Sequence, residues 1–410
     1  MKQTSSPKIS IEHLIKIYGT QPQNALKLFR AGANRDEILA KTGQVLGIAD
    51  VSFKINAGEI FVVMGLSGSG KSTLVRCINR LIKPTSGHIY IDDEDVAHLD
   101  TQRMRQIRLQ KVSMVFQRFG LFPHKSVAEN VAYGLKVGGV NKRLRRQKAL
   151  ETLEAVGLSQ WADYLPSSLS GGMQQRVGLA RALATDAEIL LMDEPFSALD
   201  PLIRRGMQDE LLRLQHELNK TIVFISHDIQ EALKIGDHIA VMKDGYIVQI
   251  GTPEELVTNP ADNYIRAFIE DVNRAQVLQT GTIARQTIPL ILGRDSASTA
   301  LSQMQSHQLQ QMYVLDRHGK PVGIIDRLIL ETSVKEGNTD ITQIMDIDFP
   351  QVKATTSLED IFHLCRSGVP VAVVEETGKF QGVIESSDIL DSIGRLSEVT
   401  DNAGPVQVAS

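Results

Sequence analysis

Cysteine is scarce in this chain of 410 residues: only Cys77 and Cys365 occur, far apart and without metal-ligand spacing. They give neither a disulfide framework nor a thiolate zinc site, fit a reducing compartment, and are expected as buried small hydrophobes. Long apolar runs are missing too. Nothing approaches the roughly 18–20 residues needed to cross a bilayer, and the start MKQTSSPKIS has no apolar signal-peptide core, so the chain is expected in the cytosol. Net charge is small, −4, which argues against wholesale nucleic-acid binding. What is present is an ordinary soluble mixture, 42% hydrophobic and 22% charged. The length exceeds the roughly 250–300 residues at which single cores stop growing, so two or more domains are expected.

The stretch IFVVMGLSGSGKST, residues 60–73, reads as a buried strand breaking into a glycine-rich loop that opens a helix. Gly65, Gly68 and Gly70 allow tight turns and close approach to an anion, and Lys71 and Ser72 complete G-x-x-x-x-G-K-[ST]. The loop from Gly65 through Leu66, Ser67, Gly68, Ser69 and Gly70 to Thr73 is therefore read as a cradle for ATP phosphates. Lys71 reaches the β/γ oxygens and the Ser72 hydroxyl ligates Mg²⁺. The run ILLMDEP, residues 189–195, reads as a parallel strand delivering carboxylates at its carboxyl end, Asp193 for Mg²⁺ and Glu194 as general base. A third buried strand, TIVFISHD, ends at His227, placed to touch a γ-phosphate, whereas the other nine histidines are read as ordinary surface or core residues. Gln117, after the short apolar run SMVF, has an amide able to orient water or touch Mg²⁺.

The stretch LSGGMQQRV, residues 169–177, reads as half of a second phosphate site, a hydroxyl and two glycines running into a helix N-terminus. With Gln117, the acidic strand, SALD at 197–200 and His227 in this order, the chain resembles ABC-type ATPases over roughly residues 8–270. The resemblance implies an α/β P-loop fold with a mixed-sheet core and a helical subdomain at about 118–185. It implies two copies stacked head to tail around two ATPs, with Ser170, Gly171, Gly172, Gln174 and Asp200 of one copy serving the ATP on the other's loop. It further implies catalysis by Glu194, His227 and Lys71, magnesium held by Ser72, Gln117 and Asp193, and adenine stacked on an aromatic residue. Tyr18 lies 47 residues before Gly65, about twice the family's usual separation, and Phe29 in the intervening insert is its rival.

That insert, about 19–46, is helical in pattern, with Leu26, Leu28, Phe29, Ile38 and Leu39 as apolar positions. It looks like the ATP-binding subunits of glycine betaine/proline importers. The implied partners are a second copy, two transmembrane permease subunits contacted around Gln117, Phe119 and Leu121, and indirectly a substrate-binding protein, with no nucleic acid. The implied place is the cytoplasmic face of the membrane. Choline or carnitine as cargo, or a non-transport ABC ATPase, are the alternatives. The basic stretch NKRLRRQKAL, 141–150, reads as a solvated helix face.

Beyond an ATPase domain spanning 1–272, QMYVLDRHGKPVGIID at 311–326 and PVAVVEETGKFQGVIE at 370–385 repeat with a period of 59 residues, Gly319 on Gly378 and Gly323 on Gly382. Each copy reads as strand, glycine turn, strand and helix. They look like tandem α+β CBS domains over 276–395, about 276–335 and 340–395, followed by a tail at 396–410. Such pairs often bind adenine nucleotides between the repeats; ligand sensing, a response to ionic strength and a purely structural role all remain open. Residues 276–410 carry 10 Lys/Arg against 17 Asp/Glu, net −7, leaving net +3 on residues 1–275.

Overall fold

The computed structural model describes residues 7–117, 120–197 and 199–394. Contacts divide the chain into two compact units, Met1–Val272 and Asn273–Ser410. Phe119, Ala198 and the tail 396–410 lie outside the described residues.

The first unit contains ten strands: β1 (Ile9–Tyr18), β2 (Val45–Ile55), β3 (Ile60–Met64), β4 (Ser86–Ile91), β5 (Glu94–Asp95), β6 (Val112–Val115), β7 (Ile189–Asp193), β8 (Thr221–Ser226), β9 (His238–Lys243) and β10 (Tyr246–Gly251). They form two sheets, a four-stranded one ordered β2-β1-β4-β5 and a six-stranded one ordered β10-β9-β3-β8-β7-β6. In the larger sheet β9, β3, β8, β7 and β6 run parallel and β10 closes one edge antiparallel. The runs IFVVM, ILLMD and TIVFIS are apolar almost without interruption because β3, β7 and β8 are buried at every position, as interior strands covered on both faces must be.

The helices of this unit, as far as the site needs them, are α1 (Pro22–Arg30), α2 (Arg35–Thr42), α3 (Lys71–Ile78), α4 (Thr101–Gln110), α5 (Val127–Val131), α6 (Tyr133–Val137), α7 (Lys142–Ala155), α8 (Gly171–Leu183), α9 (Pro201–Leu218) and α10 (Ile229–Ile235). Leu74, Val75, Cys77 and Ile78 of α3 join one core with Ile9, Ile11 and Val51 of the small sheet and Phe61, Leu191 and Val223 of the large one. Phe53 and Phe61 stack across it with ring centroids 4.8 Å apart. Helices α5 to α8 pack mainly on one another, and α8 also rests on β6. Ala149 and Leu153 are the buried positions of α7, whose basic first half faces solvent.

The insert folds as α1 and α2 against β1 and β2. A capping box of Asn34 and Glu37 starts α2, and Gly43 at φ 67° ends it. Leu26, Ile38 and partly buried Leu28 and Phe29 pack with Ile15, Ile17 and Leu46. Leu39 departs from the sequence pattern: it is 47% exposed, because α2 turns only one narrow stripe inward.

In the second unit two three-stranded sheets repeat one design. Leu290–Ile291 runs parallel to Gln311–Leu315, which pairs antiparallel with Pro321–Asp326. Gln351–Lys353 runs parallel to Val371–Val374, which pairs antiparallel with Phe380–Ile384. Both hairpins shift register at equivalent points, Val314/Leu315 and Val373/Val374, and both turn on a glycine at φ 80°, Gly319 and Gly378. The repeats share a core of Tyr313, Ile324, Ala372 and Val383, and the Tyr313 hydroxyl donates to the Pro370 carbonyl at 2.6 Å. Cys77 is buried and its thiol is pushed up to about 12, whereas Cys365 is only half-buried at the edge of the second repeat. No helix of the described residues is long and apolar enough to cross a membrane.

Candidate nucleotide site

The loop after β3 is fixed by backbone that leaves no room for side chains. A Cβ at Gly65, whose φ is 146°, would stand 2.2 Å from the Met242 carbonyl, and one at Gly70, at φ 107°, 2.5 Å from the Gly47 carbonyl. The loop is thus held between the end of β9 and the middle of β2. Gly68, at φ 80°, faces open space instead. Gly70 caps α3 with no side chain, so the first-turn N–H groups of Lys71, Ser72 and Thr73 are left to a ligand or water. The Ser69 hydroxyl is buried without a partner. Lys71 is buried and donates to the carbonyls of Gly65 at 2.8 Å and Leu66 at 3.0 Å. Burial pulls its ammonium below the ordinary lysine range, while Glu194 and Asp193 act the other way. A buried cation beside uncapped N–H groups and an orphan hydroxyl is the donor set that a polyphosphate satisfies.

The neighbouring strands aim their carboxyl ends at the same place. Asp193, the last residue of β7, is buried and accepts from the Ser72 hydroxyl at 2.7 Å, joining the two expected magnesium holders. Glu194 leaves the strand at φ 47°, a left-handed conformation that costs an ordinary side chain about 1–3 kcal/mol. There its carboxylate accepts from the Gln117 amide at 3.2 Å and lies 3.2 Å from His227 Nδ1. Gln117 follows β6 and His227 follows β8, so four adjacent strands contribute. Glu194 is 18% exposed and His227 56%, so the imidazole stands at the open side of the carboxylate.

Tyr18, at the end of β1, touches the start of α3: its hydroxyl and that of Thr73 are 3.0 Å apart. The ring is part-exposed, and a Cβ at Gly47 would stand 2.8 Å from it. Phe29 instead packs into the insert's own core. Leu66 and Ser67 are exposed on the loop.

The signature residues lie apart from this cluster. Ser170 caps α8 by accepting from Met173 N, Gly171 opens the helix with free space around it, and Gln174 donates to the carbonyls of Pro166 and Leu169. Asp200 caps α9 in the same manner, and a Cβ at Gly172 would stand 2.7 Å from Ile203 Cγ2 of that helix. The N-termini of α8 and α9 therefore sit together, and α8 packs on α5, α6, α7, α9 and β6, none of which carries the glycine-rich loop.

Three contributors escape sequence reasoning. Arg76 reaches Asp193 at 3.2 Å; its place one turn after Ser72 is the signal that would have found it. The Tyr264 hydroxyl bridges the Leu66 N–H and the Met242 carbonyl, both at 3.4 Å, and nothing in the sequence points to it. Behind His227, buried Glu231 accepts from Ser226 and Gln208 while Arg204 pairs with Asp228 at 3.2 Å, tying α9 to the histidine's loop. Burial pushes the Glu231 carboxyl up and these hydrogen bonds act downward.

Comparison with known proteins places this geometry. The ABC transporter family model matches residues 48–197 and the CBS domain model residues 341–395. A glycine betaine transport ATP-binding protein of Bacillus subtilis is 44% identical over 398 residues, 97% of this chain and 95% of that protein. A glycine betaine/carnitine transport ATP-binding protein of Listeria monocytogenes is 44% identical over 397 residues, 97% of this chain and all of that protein. A bacterial ABC transporter cassette solved as a dimer shares 34% identity at a TM-score of 0.51, covering 60% of this chain and 98% of its own. The chain belongs to the ABC transporter ATP-binding proteins, in the group that these glycine betaine transport proteins represent.

Proposed function

We propose that this ABC ATPase energises uptake of glycine betaine, proline and similar osmolytes, as a head-to-tail pair at the cytoplasmic face of the membrane beneath two permease subunits fed by a binding protein. The observation that carries the ATPase reading is the convergence of Lys71, Ser72, Gln117, Asp193, Glu194 and His227 at the ends of four adjacent strands. Ser72, Asp193 and Gln117 would hold magnesium, which neutralises charge on the phosphates when bound. Lys71 and the α3 N–H groups bind the phosphate oxygens, and Tyr18, beside Thr73, carries the adenine. Gln117 and His227 hold the Glu194 carboxylate where it takes a proton from the attacking water.

Docking of the permease is supported by a cavity of about 240 Å³ beside Gln117, lined by Met114, Phe116, Tyr133, Arg108 and Arg181 among others. It opens between the edge strand β6 and the helices α6 and α8, and its part-exposed aromatics suit an inserted helix end. Leu121 lies next to it in sequence and is half-buried, while Phe119 is outside the described residues. Cargo follows from the relatives, among which one also names carnitine. Copurification of the membrane subunits, followed by titration of their binding protein with glycine betaine, proline, choline and carnitine, tests it. Glycine betaine binding at least tenfold tighter than choline and carnitine is expected, and a protein that takes none of the four would overturn the osmolyte assignment.

The second unit is read as a regulator. Its cleft, about 550 Å³, is lined by amides, hydroxyls and the Glu385 carboxylate and by no lysine or arginine among its lining residues. That suits a nucleoside or another neutral ligand better than bare phosphates. Its net charge of −7 against +3 on residues 1–275 favours an attraction that salt weakens, since the screening length falls from ~10 Å at 0.1 M to ~3 Å at 1 M. The acidic unit then restrains transport at low ionic strength and releases it when the cytosol concentrates, by shifting a two-state equilibrium. A chain truncated after Asp271, reconstituted with its membrane subunits, should keep transport and lose its rise with salt. A truncated transporter that switches on over the same salt range as the full chain would place the sensor elsewhere.

A further inference from the structure

On the outward face of the four-stranded sheet, remote in function from the phosphate cluster, two histidines that the sequence left unremarkable converge on one carboxylate. His88 of β4 presents Nδ1 at 2.8 Å from Asp95 Oδ2, and His98, just beyond β5, presents its Nδ1 to the same oxygen at 2.7 Å. The ligand atoms of the three residues all lie within 4.8 Å of one another. We propose that His88, Asp95 and His98 bind a divalent cation of the zinc type, with Glu12 supplying or orienting the fourth position.

Asp95 is anchored by its other oxygen. Oδ1 accepts the backbone N–H groups of Ala97 at 3.1 Å and Ile89 at 3.4 Å, which leaves Oδ2 to the imidazoles and fixes its direction. That is the support a ligating carboxylate requires from its surroundings. The His88 ring is stacked on Tyr90 with centroids 5.9 Å apart, which restricts its rotation. No lysine or arginine among the described residues pairs with Asp95, so its charge is met only by two side chains that are neutral near pH 7. One carboxylate and two neutral imidazoles leave a site of charge −1, complementary to a dication.

The strand register adds Glu12. It stands directly opposite His88 in the antiparallel β1–β4 pair, on the same outward face and exposed. Tetrahedral coordination with bonds of about 2.0–2.1 Å needs ligand atoms about 3.3 Å apart, so the three present must open by roughly half an ångström. Both histidines are at least half exposed and can make that adjustment by side-chain rotation alone. Two nitrogens with carboxylate oxygens select zinc and its neighbours over magnesium or calcium, which prefer all-oxygen shells. The site is therefore chemically distinct from Ser72 and Asp193, and excess magnesium will not fill it.

The test titrates untagged, nucleotide-free full-length chain with zinc chloride by calorimetry in excess magnesium, and repeats it with cobalt(II) followed by its visible absorption. One zinc per chain is expected, with binding roughly 10–100-fold weaker in His98→Ala and in Asp95→Asn, each still folded and hydrolysing ATP as before. His318→Ala, on the other unit, should bind as the unaltered chain does. Zinc should also raise the melting temperature of the unaltered chain and of His318→Ala but not of the two site variants. Absence of binding, or binding that survives both His98→Ala and Asp95→Asn, would overturn the proposal.

Discussion

Glu194→Gln is expected to leave ATP binding intact and to cut turnover by about 10²–10⁴, the share ascribed to a positioned general base. The substitution keeps the shape of the side chain, so the contacts from Gln117 and His227 that hold it can persist. It removes only the capacity to take a proton. Asp193 is untouched, so its contacts with Ser72 and Arg76 still hold the magnesium end of the site. Loss of hydrolysis with retained binding should trap the pair around its two nucleotides, and ATP should shift the variant to dimer in size-exclusion chromatography. A turnover within about threefold of the unaltered chain would remove Glu194 from the role of base and leave His227 as the next group to examine. The left-handed backbone at Glu194 strengthens the case, because such strain is kept where the surrounding structure needs the side chain in one place.

Much of this architecture is legible in the sequence for a simple reason. Parallel strands covered on both faces must be apolar throughout, so IFVVM, ILLMD and TIVFIS declare themselves, and each is followed at once by a polar residue that the sheet delivers to one edge. The repeat of 59 residues is legible because glycine turns recur, and even the register shifts coincide. What the sequence conceals is proximity. Tyr18 and Phe29 compete on paper, yet β1 leads Tyr18 to Thr73 while α1 folds Phe29 into its own small core. Leu39 fits an apolar pattern and is exposed, since two short helices bury only a narrow stripe. Arg76, Tyr264 and Glu231 carry no motif; they matter through distances that the fold alone sets. The His88–Asp95–His98 cluster is hidden likewise, because the histidines lie ten residues apart and only the β4–β5 hairpin brings them onto one carboxylate.

Mixing two inactive chains should restore hydrolysis, and this follows from where the signature stands. Ser170 and Gly171 open α8, a helix packed on α5, α6, α7, α9 and β6, and not on the loop that follows β3. A helix N-terminus with a free hydroxyl and open space at Gly171 is suited to an anion that its own chain does not supply. In a two-fold pair each such terminus meets the partner's loop, so every complete site takes its loop from one chain and its signature from the other. Gly171→Asp is the better lesion than Gly172→Asp. Nothing lies within 4 Å of a Cβ at Gly171, whereas one at Gly172 would press on Ile203. An aspartate in the first turn also favours the helix, so loss of activity cannot come from melting α8. Its carboxylate instead opposes the partner's phosphate. Lys71→Ala removes the buried cation of the loop and leaves the signature whole. Each variant alone should lose nearly all hydrolysis. Random exchange makes half the dimers mixed, each with one complete site of two, so roughly a quarter of normal activity should return if the sites work independently. Native mass spectrometry of the mixture must show the mixed dimer. If that dimer forms and activity stays at the sum of the two separate variants, the signature does not serve the partner's nucleotide.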